Sequence, residues 1–331
     1  MEKVAGDLQD EKFRSLLGDD FYEQLMEDVE LLDIASTVFE ADKVQNGRLT
    51  PVFFGSALTN FGVEPFLSHF LAMTTSPLSR YAGDVEIEPT DDHFSAFVFK
   101  IQANMNKAHR DRIAFLRICS GKFEKGMEVT HVQANRKIKL AQPQQFMADN
   151  REIVETAYAG DVIGVFDPGI FAIGDTLCTG KPFAFDKIPT FAPEHFARVQ
   201  QKDTMKRKQF LKGITQIAQE GAIQVFQEIN IGMEEIIVGG VGVLQFDVLE
   251  QRLKSEYNVD IKLDLLPFQC VRWIENEEID PNALNLTSES KRVKDLKGRN
   301  LIIFANNWGI KWALEQNQGL ILTDIGRWFR K

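Results

Sequence analysis

Apolar residues recur with a helical period near the start of the chain and with a strand-like period through its middle. Phe21, Leu25, Val29 and Leu32 fall at i, i+4, i+8 and i+11, with Glu23, Glu27, Asp28 and Glu30 between them. This spacing predicts an amphipathic helix over residues 20–36, with Asp19 or Asp20 placed to cap it. The apolar run Pro51-Val52-Phe53-Phe54, ended by Gly55-Ser56-Ala57-Leu58, predicts a buried strand and a small-residue turn. A second helical pattern carries Phe66, Leu67, Phe70 and Leu71 and stops near Pro77. Residues 1–80 thus read as an α/β fragment.

Residues 81–92 read as a linker, with Gly83, Pro89 and the acids Asp84, Glu86, Glu88, Asp91 and Asp92. From 93 to 190, short β-rich runs alternate with glycine turns at Ser120-Gly121, Lys125-Gly126, Ala159-Gly160-Asp161 and Ile173-Gly174-Asp175. Many short strands with regular glycine punctuation predict a closed antiparallel β-barrel.

Past Pro189 and Pro193 the pattern changes, defining a third piece over 194–331. Strands at 196–199, 222–229, 234–238 and 259–265 alternate with helices at 204–220 and 243–256. Val259, Ile261, Leu263 and Leu265 alternate with Asp260, Lys262 and Asp264, which gives one dry and one wet strand face. Phe246, Leu249, Leu253 and Tyr257 share one helical stripe. The order βαββαβ predicts a split, ferredoxin-like module with a C-terminal extension. That extension holds Trp308, Trp312 and Trp328, which read as packing anchors.

Composition fits this multidomain picture, α/β followed by all-β and α+β. The 331 residues are 44% hydrophobic and 26% charged, as in ordinary globular proteins. No apolar run reaches the roughly 18 residues of a membrane span, and no signal-peptide pattern opens the chain. A cytoplasmic monomer without membrane contact is expected. The net charge of −10 is uneven: residues 1–50 hold 13 acids and 5 bases. Residues 198–212 oppose it, with Arg198, Lys202, Lys206, Arg207, Lys208 and Lys212 against Asp203 alone.

Few residues fall in a catalytic pattern. The 3 cysteines are far apart and the 5 histidines scattered, which argues against disulfides and a metal site. No GxxxxGK[ST], GxSxG or strand-borne GxGxxG occurs. Asp161-Val162-Ile163-Gly164 has the letters of DxxG but lies in the barrel region. Asn106-Lys107-Ala108-His109 lacks the aspartate with which NKxD reads guanine.

Several motifs together carry a resemblance. Gly55-Ser56-Ala57 after an apolar run is similar to the last guanine-specificity element of GTPases. Arg117-Ile118-Cys119-Ser120-Gly121, Ala159-Gly160-Asp161-Val162 and Gly174-Asp175-Thr176-Leu177 resemble, in order, the signatures of the second domain of translational GTPases. Gly221–Phe226, Val238–Leu249, Arg252–Val259, Phe99–Met105 and His109–Arg112 extend the likeness. From about residue 50 onward the chain resembles the bacterial release factor 3 family of translational GTPases.

The resemblance implies a translation termination factor. Such a factor binds the ribosome, through ribosomal RNA and proteins, and promotes GTP-dependent release and recycling of class I release factors. Ser56, Ala57 and Leu58 would be the remnant of the guanine site. The family's other nucleotide motifs have no counterpart here, so the chain reads as the C-terminal part of such a GTPase, with residues 1–80 the remnant of its P-loop GTPase domain and residues 93–190 an elongation-factor-like barrel. It is expected to need no cofactor alone, GTP or GDP and Mg²⁺ belonging to the complete family protein, and to hydrolyse no GTP. Lys206, Arg207, Lys208 and Lys212, and a second group of Lys107, Arg110 and Arg112, are the candidate contacts to RNA phosphates. The alternative is a stand-alone, non-catalytic RNA- or protein-binding factor derived from a translational GTPase.

Overall fold

Helices form where the sequence places amphipathic stripes. The computed structural model describes residues 4, 6–103, 112–140, 143–147, 150–186, 188, 190–229, 235–276 and 278–324, in two units, Met1–Ser76 and Pro77–Lys331. The first unit contains α1 (Glu11–Leu17), α2 (Asp19–Ala35), α3 (Ala41–Gln45) and α4 (Val63–Met73). The predicted 20–36 helix is α2. None of the unit's described residues is buried.

The predicted strand at 51–54 does not form. Val52 and Phe54 are 74% and 81% exposed, and the segment's nearest approach to a sheet is one bridge between Ser56 and Phe61. A strand needs a neighbouring backbone to satisfy its N–H and C=O groups. No described residue of this unit forms one. The turn itself is well defined. Gly62, at φ +74°, opens α4, and a Cβ there would lie 2.4 Å from the Phe54 carbonyl oxygen.

The second unit begins where a linker was expected, yet β1 (Arg80–Ala82) and β2 (Val85–Ile87) form a hairpin. Ile87 is buried with Phe97, Cys119 and Phe185. The Arg80 guanidinium lies 4.5 Å from the Phe97 ring centroid. Of the acids that suggested a linker, Asp84 and Glu86 are exposed on this hairpin, and the apolar Ile87 fastens it to the barrel.

The barrel strands are β3 (Ser95–Ala103), β4 (Arg112–Ser120), β5 (Lys122–Glu124), β6 (Glu128–His131), β7 (Arg136–Lys139), β8 (Gln144–Met147), β9 (Asn150–Ile153), β10 (Thr156–Tyr158), β11 (Val162–Phe166) and β12 (Thr176–Cys178). Eight of them pair antiparallel in the order β7-β6-β12-β3-β4-β11-β8-β9, and β5 pairs with β10. The sheet ends on β7 and β9, so the described pairing leaves it open where closure was predicted. It still curls round one core of Val98, Ile101, Leu116, Ile118, Ile163 and Leu177. Gly121 shows why glycine punctuates these turns: at φ +65°, a Cβ would sit 2.7 Å from backbone atoms of His93 and Phe94.

Next come β13 (His195–Gln201), α5 (Arg207–Gln219), β14 (Gln224–Glu228), β15 (Ile236–Gly240), α6 (Leu244–Tyr257) and β16 (Ile261–Leu266). Their sheet order, β16-β13-β15-β14, is the split βαββαβ arrangement. The extension supplies β17 (Cys270–Ile274), β18 (Ser290–Asp295), β19 (Asn300–Phe304), α7 (Asn307–Gln316) and β20 (Leu322–Asp324). These strands continue the same sheet as β14-β18-β19-β17-β20. Helices α5 and α6 cover one face, over Val199, Ile214, Ile217, Val238, Leu249 and Leu253. Leu265, expected on the dry face of β16, lies outside that cluster and is 69% exposed.

Two tryptophans depart from expectation. Trp308 and Trp312 are 60% and 37% exposed, their ring centroids 5.5 Å apart. Helix α7 packs through Gly309 and Ala313 instead. Trp328 lies outside the described residues. No helix among the described residues is long and apolar enough to cross a membrane.

Candidate nucleic-acid interface

The cationic cluster at 198–212 lies where β13 hands over to α5. Asp203 caps the entry: its carboxylate accepts the Met205 N–H at 2.9 Å and starts a short 3₁₀ turn, Thr204–Lys206. Helix α5 therefore begins at Arg207. Phe210, Gly213, Ile214 and Ile217 form its buried face. That rotation leaves Lys208 and Lys212 exposed, and Lys202 is exposed on the approach.

The other bases are engaged. Lys206 is half-buried and donates to the Asn258 carbonyl at 2.7 Å, at the C-terminal cap of α6. A cation there complements the helix dipole. Arg207 is also half-buried, and Arg198 lies 3.3 Å from Glu235. The exposed part of the cluster is thus Lys202, Lys208 and Lys212, none ion-paired among the described residues. Three such ammonium groups can hold phosphates as point charges, which confers affinity without base readout.

The second candidate group divides. Lys107 and Arg110 lie outside the described residues. Arg112 is removed from the surface group: it is 9% exposed, with its guanidinium 2.6 Å from the buried Asp167 carboxylate. The Nε–H is not aligned on that oxygen, so the contact is an ion pair rather than a hydrogen bond. Nη2 donates to the Phe171 carbonyl at 3.2 Å and Nη1 to the Gln219 side chain. An arginine with these partners has no exposed fork left to offer a phosphate.

Ser56, Ala57 and Leu58 belong to the first unit. The Ser56 N–H donates to the Phe61 carbonyl at 3.0 Å, and Leu58 is 95% exposed. No group of three His, Cys, Asp or Glu side chains among the described residues could hold a metal ion.

His131 occupies a different setting from the surface histidines. It is 1% exposed, with Nε2 2.8 Å from Asp175 Oδ2 and its ring against Phe171. This polar pair is sealed in the barrel wall and touches none of the exposed lysines.

Sequence reasoning missed a polar junction between the barrel and α5–α6, built on Arg112, Gln219, Glu220 and Arg252. One signal was legible, an acid at the end of α5 where the helix dipole disfavours it.

Comparison with known proteins follows these boundaries. Residues 93–180 match the model of elongation factor G domain 2, and residues 185–314 that of the class II release factor RF3 C-terminal domain. Peptide chain release factor 3 of Symbiobacterium thermophilum is 53% identical over 314 residues, covering 95% of this chain and 59% of that protein. Its namesake in Gloeobacter violaceus is 46% identical, covering 97% of this chain and 61% of that protein. The chain thus spans about three fifths of the length of these curated relatives. A solved structure from Thermus thermophilus shares the fold, with a TM-score of 0.55 at 19% identity over 89% of this chain and 45% of that one.

Proposed function

We propose, for a chain that belongs to the peptide chain release factor 3 family, that it carries the ribosome-binding and state-transmitting part of a translation termination factor. On this reading the complete factor promotes GTP-dependent departure and recycling of class I release factors. The barrel and the split βαββαβ module engage ribosomal RNA and proteins. Phosphoryl transfer depends on phosphates and magnesium held together in one nucleotide site, and it belongs on this reading to the complete factor.

One observation carries this reading: Lys202, Lys208 and Lys212 stand exposed at one end of α5, on the module matched by the release-factor model. Each lysine that neutralises a phosphate releases counterion, so binding through them weakens steeply with salt. Reversing Lys202, Lys208 and Lys212 to glutamate should weaken co-sedimentation with ribosomes and flatten its salt dependence. Unchanged binding at physiological salt would remove the α5 face from the interface. Lys206 is left intact in this test because it docks on α6.

A further inference from the structure

A carboxylate at the C-terminal end of a helix opposes the helix dipole. Glu220 sits there, as the residue that closes α5. Its surroundings account for it. Oε1 accepts the backbone N–H of Ala103, the last residue of barrel strand β3, at 3.1 Å. The two oxygens also take Arg252 of α6 at 2.7 and 3.2 Å. Glu256 holds the other edge of the same guanidinium at 2.6 and 3.0 Å. The Glu220 side chain is 8% exposed. Burial disfavours the charge on Arg252, but the two carboxylates outweigh it and raise its proton affinity.

The preceding residue makes the matching contact. Gln219 accepts from Arg112, the first residue of β4, which is itself paired with Asp167 inside the barrel. Two consecutive residues at the end of α5 therefore reach the facing ends of two paired barrel strands. The apolar clusters of barrel and module share no residue, and these polar contacts bridge them.

We propose that Glu220 is a positioning residue. Assisted by Gln219, it fixes the split βαββαβ module on the barrel and so sets where the lysine-bearing end of α5 stands relative to the barrel surface. The benefit to polyanion binding rests on the ribosome reading above; the clamp itself does not. Without Glu220 each core would remain intact, but Ala103 would lose its acceptor and Arg252 one of its two carboxylates.

The test uses the whole chain with Cys270→Ser and reporter dyes on Ala134→Cys and Glu250→Cys, the other two cysteines being buried. Glu220→Ala should broaden the distance distribution between dyes, speed amide exchange at Ala103 about tenfold and leave circular dichroism unchanged. It should also weaken ribosome co-sedimentation with every α5 lysine in place. Glu220→Gln keeps an acceptor for the Ala103 amide but loses the charge facing Arg252. It should fall between, and it decides the matter if the alanine variant does not fold. A native distance distribution with native exchange at Ala103 overturns the clamp. A broadened distribution with undiminished ribosome binding overturns the positioning role, provided that the lysine reversal does weaken binding. If the lysine reversal has no effect either, the ribosome interface on α5 is what fails, and the dye distances alone decide the clamp.

Discussion

Arg112 and Asp167 form an ion pair inside the wall of the barrel, Nε to Oδ2 at 2.6 Å, with side chains 10% and 0% exposed. The second carboxylate oxygen accepts the amides of Gly169, Ile170 and Phe171 at 2.8, 2.8 and 3.3 Å. The aspartate thereby organises the loop after β11, and the arginine neutralises it.

Removing one member of a buried pair strands the other charge, at about 3–5 kcal/mol. Arg112→Ala should therefore lower the unfolding free energy by about 3 kcal/mol in urea denaturation. Asp167→Asn combined with Arg112→Met, which strands no charge, should recover part of the loss. A cost under about 1 kcal/mol for Arg112→Ala would return this residue to the surface class, where exposed ion pairs contribute that little.

Gly213 is where α5 and α6 touch. A Cβ there would lie 2.7 Å from Leu253 Cδ2 and 2.8 Å from Tyr257 Cγ. Alanine improves helix propensity by about 1 kcal/mol, whereas overpacking costs about 1–3 kcal/mol. The ring atom is near the Tyr257 backbone and cannot swing away as a chain end can, so the clash prevails. Gly213→Ala should lower the melting temperature; a higher one would show that the helices separate freely.

Burial pushes the Cys119 thiol up to about 11, from an ordinary value of 9.0. The folded state holds this proton more tightly than the unfolded chain does. The associated stability is present below pH 9 and declines as pH rises towards 11. Alkylation at pH 8 should leave Cys119 and Cys178 unmodified in the native protein and label both after denaturation. Rapid native labelling of Cys119 would contradict this environment.

Trp308 should be nearly dispensable for folding, and Phe304 should not. Phe304 is 0% exposed, in the cluster beneath α7, whereas Trp308 is 60% exposed. Phe304→Ala should cost about 3–5 kcal/mol and Trp308→Ala under about 1 kcal/mol in chemical denaturation. Comparable costs would mean that the indole packs as an anchor after all.

What was legible in the sequence followed amphipathic period. Phe246, Leu249 and Leu253 are 3%, 0% and 0% exposed, as their stripe on α6 requires. The same periodicity fixed the βαββαβ order and the rotation of α5 that exposes Lys208 and Lys212. Period alone could not show that Pro51–Phe54 would find no neighbouring strand, nor that Ile87 would fasten an acidic hairpin to the barrel. Large aromatic residues say nothing of which way they face, so Trp308 and Trp312 read as anchors. Charge counting failed at Arg112 because its partner, Asp167, is 55 positions away in sequence. The junction at Glu220 was obscured for the same reason. Its partners Ala103 and Arg252 come from two modules that sequence reading treats separately.

The most direct test of ribosome engagement is co-sedimentation of the purified 331-residue chain with ribosomes across a salt series. The chain should pellet with ribosomes at low salt and be released progressively as salt rises, with the Lys202, Lys208 and Lys212 reversal losing affinity and part of the slope. A folded chain that stays in the supernatant at low salt would contradict the account.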